Sequence, residues 1–140
     1  MTVPAHLSLV TLAVADLQRS TQFYEGLGWQ KSPASQDTIT FFQVGGTNLA
    51  LYGRQDLADD VGVGAAGDGF RGVTLAMNLG SAASVDRVFA EFLAAGATAV
   101  KPPVAAEWGG YSGYVADPDG HLWELAFNPY SPQWAAPGTD

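Results

Sequence analysis

Along the chain the spacing of apolar positions changes from two residues to about 3.6 and back, which divides it into strands and helices. The run "LSLVTLAVA" is rich in aliphatic and β-branched residues and predicts a strand, and Asp16 follows it as a helix N-cap. In "DLQRSTQFYEGLG" the side chains of Leu17, Phe23, Tyr24 and Leu27 lie close to one helical face, and Gly26 or Gly28 offers a left-handed end. Three strands are predicted next: "WQKSP", "TITFFQV" and "TNLALYG". Gly45 and Gly46 join the last two through a connection suited to a primed hairpin turn.

After the acidic, glycine-rich "RQDLADDVGVGAAGDG" the order repeats. "RGVTLAMNL" predicts a strand, and Val85, Val88, Phe89, Phe92 and Leu93 follow helical spacing behind a cap at Ser81 or Ser84, with Gly96 as the stop. "ATAVKPP" reads as a short edge strand ended by its prolines. "YSGYVA" and "HLWELAF" form a hairpin around a type I turn from Asp117 to Gly120. Each half is thus strand, helix and three strands, and neither can cover both faces of its sheet. The predicted fold class is α+β, with two βαβββ modules curling around a cleft into a cup-shaped, open, barrel-like sheet. One domain spans residues 1–140, with module one over 7–53, a linker over 54–69, module two over 70–128 and an extended tail over 129–140 pinned by Trp134.

Composition narrows the chemistry. A chain with 47% hydrophobic and 14% charged residues folds, and no apolar run approaches the ~20 residues of a membrane-spanning helix. With no cysteine, disulfides, thiolate metal sites and cysteine nucleophiles are excluded. The net charge of -8 has the wrong sign for nucleic acid and favours cationic small molecules. No basic region precedes the apolar N-terminal patch, so the sequence predicts no secretion signal and a cytoplasmic protein without membrane or nucleic-acid partners.

The pair "VADLQRSTQFYEGLGW" and "YVADPDGHLWELAFNP", on a doubled βαβββ frame, resembles the vicinal oxygen chelate superfamily over about residues 7–128. That superfamily includes glyoxalase I, extradiol dioxygenases, fosfomycin resistance enzymes and bleomycin-binding proteins. The resemblance implies a cup, commonly built across a homodimer, and in metal-dependent members a divalent ion held by His and Glu on the first and last strand of each module. Carried onto this chain, the first ligand position is Leu9 and the second Ala50. The third falls within Val73 to Met77, which contain no His, Asp or Glu, and the fourth is Glu124. One ligand of four is present. His6 and His121 each stand three residues from the nearest such position, so on a regular strand they face the other side. A single carboxylate is a poor divalent site, and the expected protein carries no cofactor, with a divalent metal as the alternative.

Glu124 shares a strand face with Leu122 and Ala126, the face that the resemblance turns into the cup. It is the candidate catalytic residue, as a general base, and equally a candidate ligand-binding carboxylate or a structural one held by a nearby donor. Tyr52, Trp108, Tyr111 and Tyr114 are the aromatic ligand-binding candidates, while Trp29, Phe41, Phe89 and Phe92 are assigned to the core. "EWGGYSGY" reads as a twisted edge strand with a bulge at Gly109 or Gly110, or as a flap over the cup. "GVGAAGDG" is a linker, since no strand precedes it and no helix follows. The expected function is metal-independent binding of a small cationic or aromatic molecule, in the manner of bleomycin resistance proteins. The alternative is a metal-dependent glyoxalase-like lyase or isomerase with atypical ligands and Glu124 as base or ligand.

Overall fold

The computed structural model describes residues 2–140, which form two compact units, one ending at Gly67 and the other running from Asp68 to Asp140. In the first unit, strand β1 (Leu9–Val14) is followed by helix α1 (Leu17–Gly26) and strands β2 (Ile39–Val44) and β3 (Thr47–Gly53). The open sheet has the order β1-β3-β2, with β1 parallel and β2 antiparallel to β3. Asp16 caps α1 by accepting from the Arg19 N–H at 3.0 Å, which satisfies a donor that the first turn leaves free. Gly45, at φ 64, takes the first position of the β2–β3 turn, as a type II′ hairpin requires.

Beneath α1 lie Leu12, Val14, Phe42, Leu49 and Leu51, all buried. The Tyr24 ring stacks on Trp29 with centroids 5.4 Å apart and lies 6.0 Å from Phe42. Thr21 on the helix and Thr40 on β2 share a buried hydroxyl hydrogen bond of 2.9 Å, which fixes Thr40 and Phe42 toward α1. The core residue is therefore Phe42; Phe41, expected in the core, faces away from the helix opposite Ala50. The expected strand at "WQKSP" shrinks to one bridge between Lys31 and Phe42. Pro33 lacks a donor, and Ser35 Oγ accepts from the Phe41 N–H at 2.9 Å, taking the group that a further ladder bond would use.

An unexpected helix, α2 (Arg54–Val61), occupies the start of the linker and ends at Gly62 with φ 88. Arg54 ties it to the following loop, donating from Nε to the Ala65 carbonyl at 2.6 Å and from Nη2 to the Gly67 carbonyl at 3.0 Å. Among the described residues no helix is long and apolar enough to cross a membrane.

The second unit is a βαβββ module: β4 (Leu75–Asn78), α3 (Ala82–Ala95), β5 (Thr98–Ala105), β6 (Tyr111–Ala116) and β7 (Leu122–Phe127), with sheet order β4-β7-β6-β5. Ser81 is the cap of α3, accepting from the Ser84 N–H at 3.1 Å, and Gly96 ends the helix at φ 114. Val85, Val88, Phe89 and Phe92 are buried, whereas Leu93, at the margin of that face, stays 39% exposed. Phe92 meets Trp123 of β7 with ring centroids 6.1 Å apart.

Strand β5 does not stop at its prolines but runs through them to Ala105. The β5–β6 register shifts on both sides of Lys101, so Pro102 and Pro103 lie in an irregular stretch of an edge strand, where a missing donor is tolerated. "EWGG" is not a bulge within a strand but the hairpin loop after β5, closed by Ala106 N–H to Gly110 O at 2.8 Å and Gly109 N–H to Ala106 O at 3.0 Å. At the β6–β7 turn, Asp117 Oδ1 accepts from the N–H groups of Asp119 and His121, both at 2.9 Å. Gly120 donates to the Asp117 carbonyl at 3.0 Å, so the turn is a type I turn completed by a glycine at φ 84.

The tail is docked, though not by Trp134, which is 66% exposed. After a 3-10 turn at Pro132–Trp134, Ala135 bridges in parallel to Asn78 and the Ala136 N–H donates to the Asn78 carbonyl at 2.8 Å.

Two substitutions test this packing. Ser20 is fully buried on α1 and its hydroxyl has no partner among the described residues, so Ser20→Ala should stabilise the protein by about 1 kcal/mol. A lower urea midpoint would show the hydroxyl bonded in solution. A Cβ at Gly113 would lie 2.8 Å from both Lys101 O and Pro103 N, so Gly113→Ala should cost roughly 1–3 kcal/mol by forcing β5 from β6. Gly46→Ala, with open space around its Cβ, should be nearly neutral in the same denaturation assay.

Candidate functional site

Strand β7 alternates strictly. Trp123 and Leu125 are buried on the α3 side, so Glu124 projects from the opposite face with Leu122 and Ala126. Its lateral neighbours are Tyr114 on β6 and Ala76 on β4. Of the five sequence candidates, the fold brings together Glu124 and Tyr114, a directly opposed cross-strand pair, both half-buried. Lys101 on β5 is in turn the register partner of Tyr114.

The phenol and the carboxylate are electrostatically coupled. Burial, the Glu124 charge and a hydrogen bond to Glu124 together hold the Tyr114 hydroxyl above the ordinary tyrosine value. Losing the Tyr114 proton would place two anions side by side on the paired strands. The register thus sets a phenol directly across from Glu124. One carboxylate beside a phenol, among apolar neighbours, can accept hydrogen bonds or a positive charge from a bound molecule.

Tyr111 lies three residues from Tyr114 and so faces α3. Its hydroxyl donates to Asp86 Oδ1 at 2.6 Å, and this bond, burial and the Asp86 charge raise its pKa. It does not join Glu124. Trp108 lies in the β5–β6 loop, where its ring folds back over Gly110 and meets Tyr130 with centroids 6.3 Å apart; Tyr130 was not singled out from the sequence. Tyr52 belongs to the first unit, on the β3 face turned away from α1, between Ala13 and Ile39.

The metal-ligand positions follow the same parity. Leu9 and Ala50 do share the face of the first sheet turned away from α1, and the β1 residue alongside Ala50 is Thr11. In the second sheet the residue alongside Glu124 is Ala76. None of these neighbours is a His, Asp or Glu, and among the described residues no group of three or more His, Cys, Asp or Glu could hold a metal ion. His6 lies exposed ahead of β1, and His121 sits in the β6–β7 turn. The donor set around Glu124 does not fit a divalent metal.

The coupling has a measurable sign. A tyrosine pKa raised in the folded state stabilises the fold fully below its unfolded value and loses that contribution as pH rises through the folded value, above about pH 10. In ultraviolet titration, Tyr114 should ionise later than a free tyrosine, and Glu124→Gln should lower it part of the way, leaving the contribution of burial. A Tyr114 titration unchanged by that substitution would show that the pair is not coupled.

The Glyoxalase/Bleomycin resistance protein/Dioxygenase superfamily model matches residues 6–125. A glyoxalase-related enzyme from Fulvimarina pelagi is 38% identical, with 90% of each chain covered and a TM-score of 0.80. A protein from Agrobacterium tumefaciens solved by NMR is 30% identical over 87% of this chain and 96% of its own, with a TM-score of 0.71. A glyoxalase/bleomycin resistance protein/dioxygenase from Nocardioides is 25% identical over 99% of this chain and 89% of its own, with a TM-score of 0.73. No curated protein matches the chain. With the repeated strand-helix-strand order in both units, these matches show that the chain belongs to the glyoxalase/bleomycin resistance/dioxygenase superfamily.

Proposed function

We propose that the protein is a metal-independent binder of small cationic or aromatic molecules and that Glu124, oriented by Tyr114, receives the ligand's positive group. The observation that carries this reading is the opposed Tyr114–Glu124 pair beside Ala76, a carboxylate facing a phenol with no His, Asp or Glu as its strand neighbour. A half-buried carboxylate strengthens its attraction for an organic cation relative to water, and the Tyr114 ring adds a π-face to the contact. The net charge of -8 draws the same class of ligand toward the surface. The protein acts as a cytoplasmic homodimer in this reading, which light scattering on the purified chain tests directly.

A second reading is favoured by the resemblance to a glyoxalase-related enzyme. It makes Glu124 the general base of a glyoxalase-like lyase or isomerase, with a divalent metal held by atypical ligands. Stoichiometric metal in protein purified without chelators, together with loss of oxoaldehyde-adduct turnover in Glu124→Gln, would establish it in place of the binder.

The binding reading predicts that aromatic quaternary ammonium compounds raise the melting temperature while their neutral isosteres do not. Binding to the native state alone adds about 2.7 kcal/mol at a hundredfold excess over Kd. Glu124→Gln should abolish the shift and Tyr114→Phe should reduce it. Equal shifts in the parent protein and Glu124→Gln would remove Glu124 from the ligand.

A further inference from the structure

The shortest strand of the second sheet lies beside the candidate carboxylate. Strand β4 has four residues and pairs with β7 in parallel, from Leu75 opposite Trp123 to Asn78 opposite Ala126. So short a parallel ladder holds few bonds, and each is slightly weaker than its antiparallel counterpart. On the Glu124 face β4 presents Ala76, alongside Glu124, and Asn78, alongside Ala126. Whatever keeps β4 in place therefore shapes the surroundings of Glu124.

From Asn78 onward the backbone is tied alternately to the C-terminal segment and to β7. The Asn78 carbonyl accepts from the Ala136 N–H at 2.8 Å, the Leu79 N–H donates to the Ala126 carbonyl at 2.8 Å, and the Gly80 N–H donates to Thr139 Oγ1 at 2.9 Å. Leu79, between the two groups that the segment holds, is buried. Thr139 fastens the segment further. Its Oγ1 donates to the Ala136 carbonyl at 2.6 Å, and its carbonyl accepts from Ser84 Oγ at 2.7 Å and Ser81 Oγ at 3.4 Å, both at the start of α3. Gly80 leaves room for this approach: a Cβ there would lie 2.8 Å from the Asp140 N and Cα. All of these contacts lie within the second unit.

We propose that the C-terminal segment is a strap that opens and closes together with β4 as one unit, and that a ligand held at Glu124 keeps the unit closed. Lifting the strap strips partners from the Asn78 carbonyl and the Gly80 N–H at once, and the Leu79 bond to β7 lies between them. A bond flanked on both sides by freed backbone, in a four-residue ladder, does not persist alone. The link to the site rests on the reading of Glu124 as the ligand's partner. Closure holds Ala76 and Asn78 on the Glu124 face, so a molecule bound there binds the closed form in preference to the open one, and strap and ligand stabilise each other reciprocally.

Amide exchange on the full chain tests the unit without any ligand. Ser84→Ala and Thr139→Val together remove three hydroxyl-mediated bonds and leave the Ser81 cap in place. Exchange of the Ala136 amide should speed up roughly a hundredfold, and that of Leu79 by the same factor, while the Asp117 amide of the β6–β7 turn stays at the parent rate. Gly80→Ala, which displaces the strap at Asp140 and keeps every hydroxyl, should speed Ala136 and Leu79 in equal measure, and Thr139→Ser should match the parent. Acceleration of Ala136 with Leu79 unchanged, or parent-like exchange in both the double variant and Gly80→Ala, would overturn the shared unit. The ligand arm uses benzyltrimethylammonium at a hundredfold excess over its Kd, which should slow Ala136 and Leu79 roughly a hundredfold in the parent and leave Glu124→Gln unaffected. A probe that raises the melting temperature without slowing these amides would overturn the link between strap and site. A probe that does not bind the parent would take down the Glu124 reading and the link with it, and the strap and β4 would still stand or fall on the variants alone.

Discussion

Helix α1 in the first unit and helix α3 in the second each pack on one face of an open sheet, and strand alternation then decides which side chains they cover. In the second unit the packing of Phe92 on Trp123, with Leu125 buried beside it, anchors β7 to α3. Once odd-numbered residues of β7 are committed to that core, Glu124 has one direction left, and the cross-strand registers place Ala76 and Tyr114 at its sides. The first unit obeys the same constraint through Tyr24, Phe42 and Leu49, which leave Phe41, Ala50 and Tyr52 on the side turned away from α1. Placement of the candidate site is thus a by-product of hydrophobic burial on its reverse.

Much of this was legible in the sequence because the signals are local and strong. Asp16 and Ser81 cap the helices expected of them, Gly96 ends α3, and the glycine pair and the Asp117 turn set the two hairpins. What escaped depends on competing or long-range bonds. Helix α2 buries Ala58 alone and has little apolar periodicity to announce it, and part of its support is an arginine reaching carbonyls eleven and thirteen residues away. The edge strand at "WQKSP" was lost to a serine side chain, and the tail docks through backbone groups that composition does not reveal.

At the site, parity was the decisive information and it was present in the sequence. Tyr111 stands an odd number of residues from Tyr114, so the two could not share a face once β6 proved regular; grouping them by aromatic character alone put them together. The same counting shows why Glu124 is isolated. The neighbours on its face are alanine, alanine, leucine and tyrosine, a lining suited to desolvating a ligand and poorly suited to caging an ion.

The Asp117 turn bears on all of this without touching any candidate residue. Its carboxylate bonds and left-handed Gly120 fix the number of residues between β6 and β7. Inserting or deleting one residue there would invert β7 relative to its partner, driving Glu124 into the apolar core and Trp123 out of it. The length of this hairpin is therefore under as tight a constraint as the chemistry of the site, and a survey of variants should find the turn tolerant of substitution at its exposed positions but intolerant of any change in length.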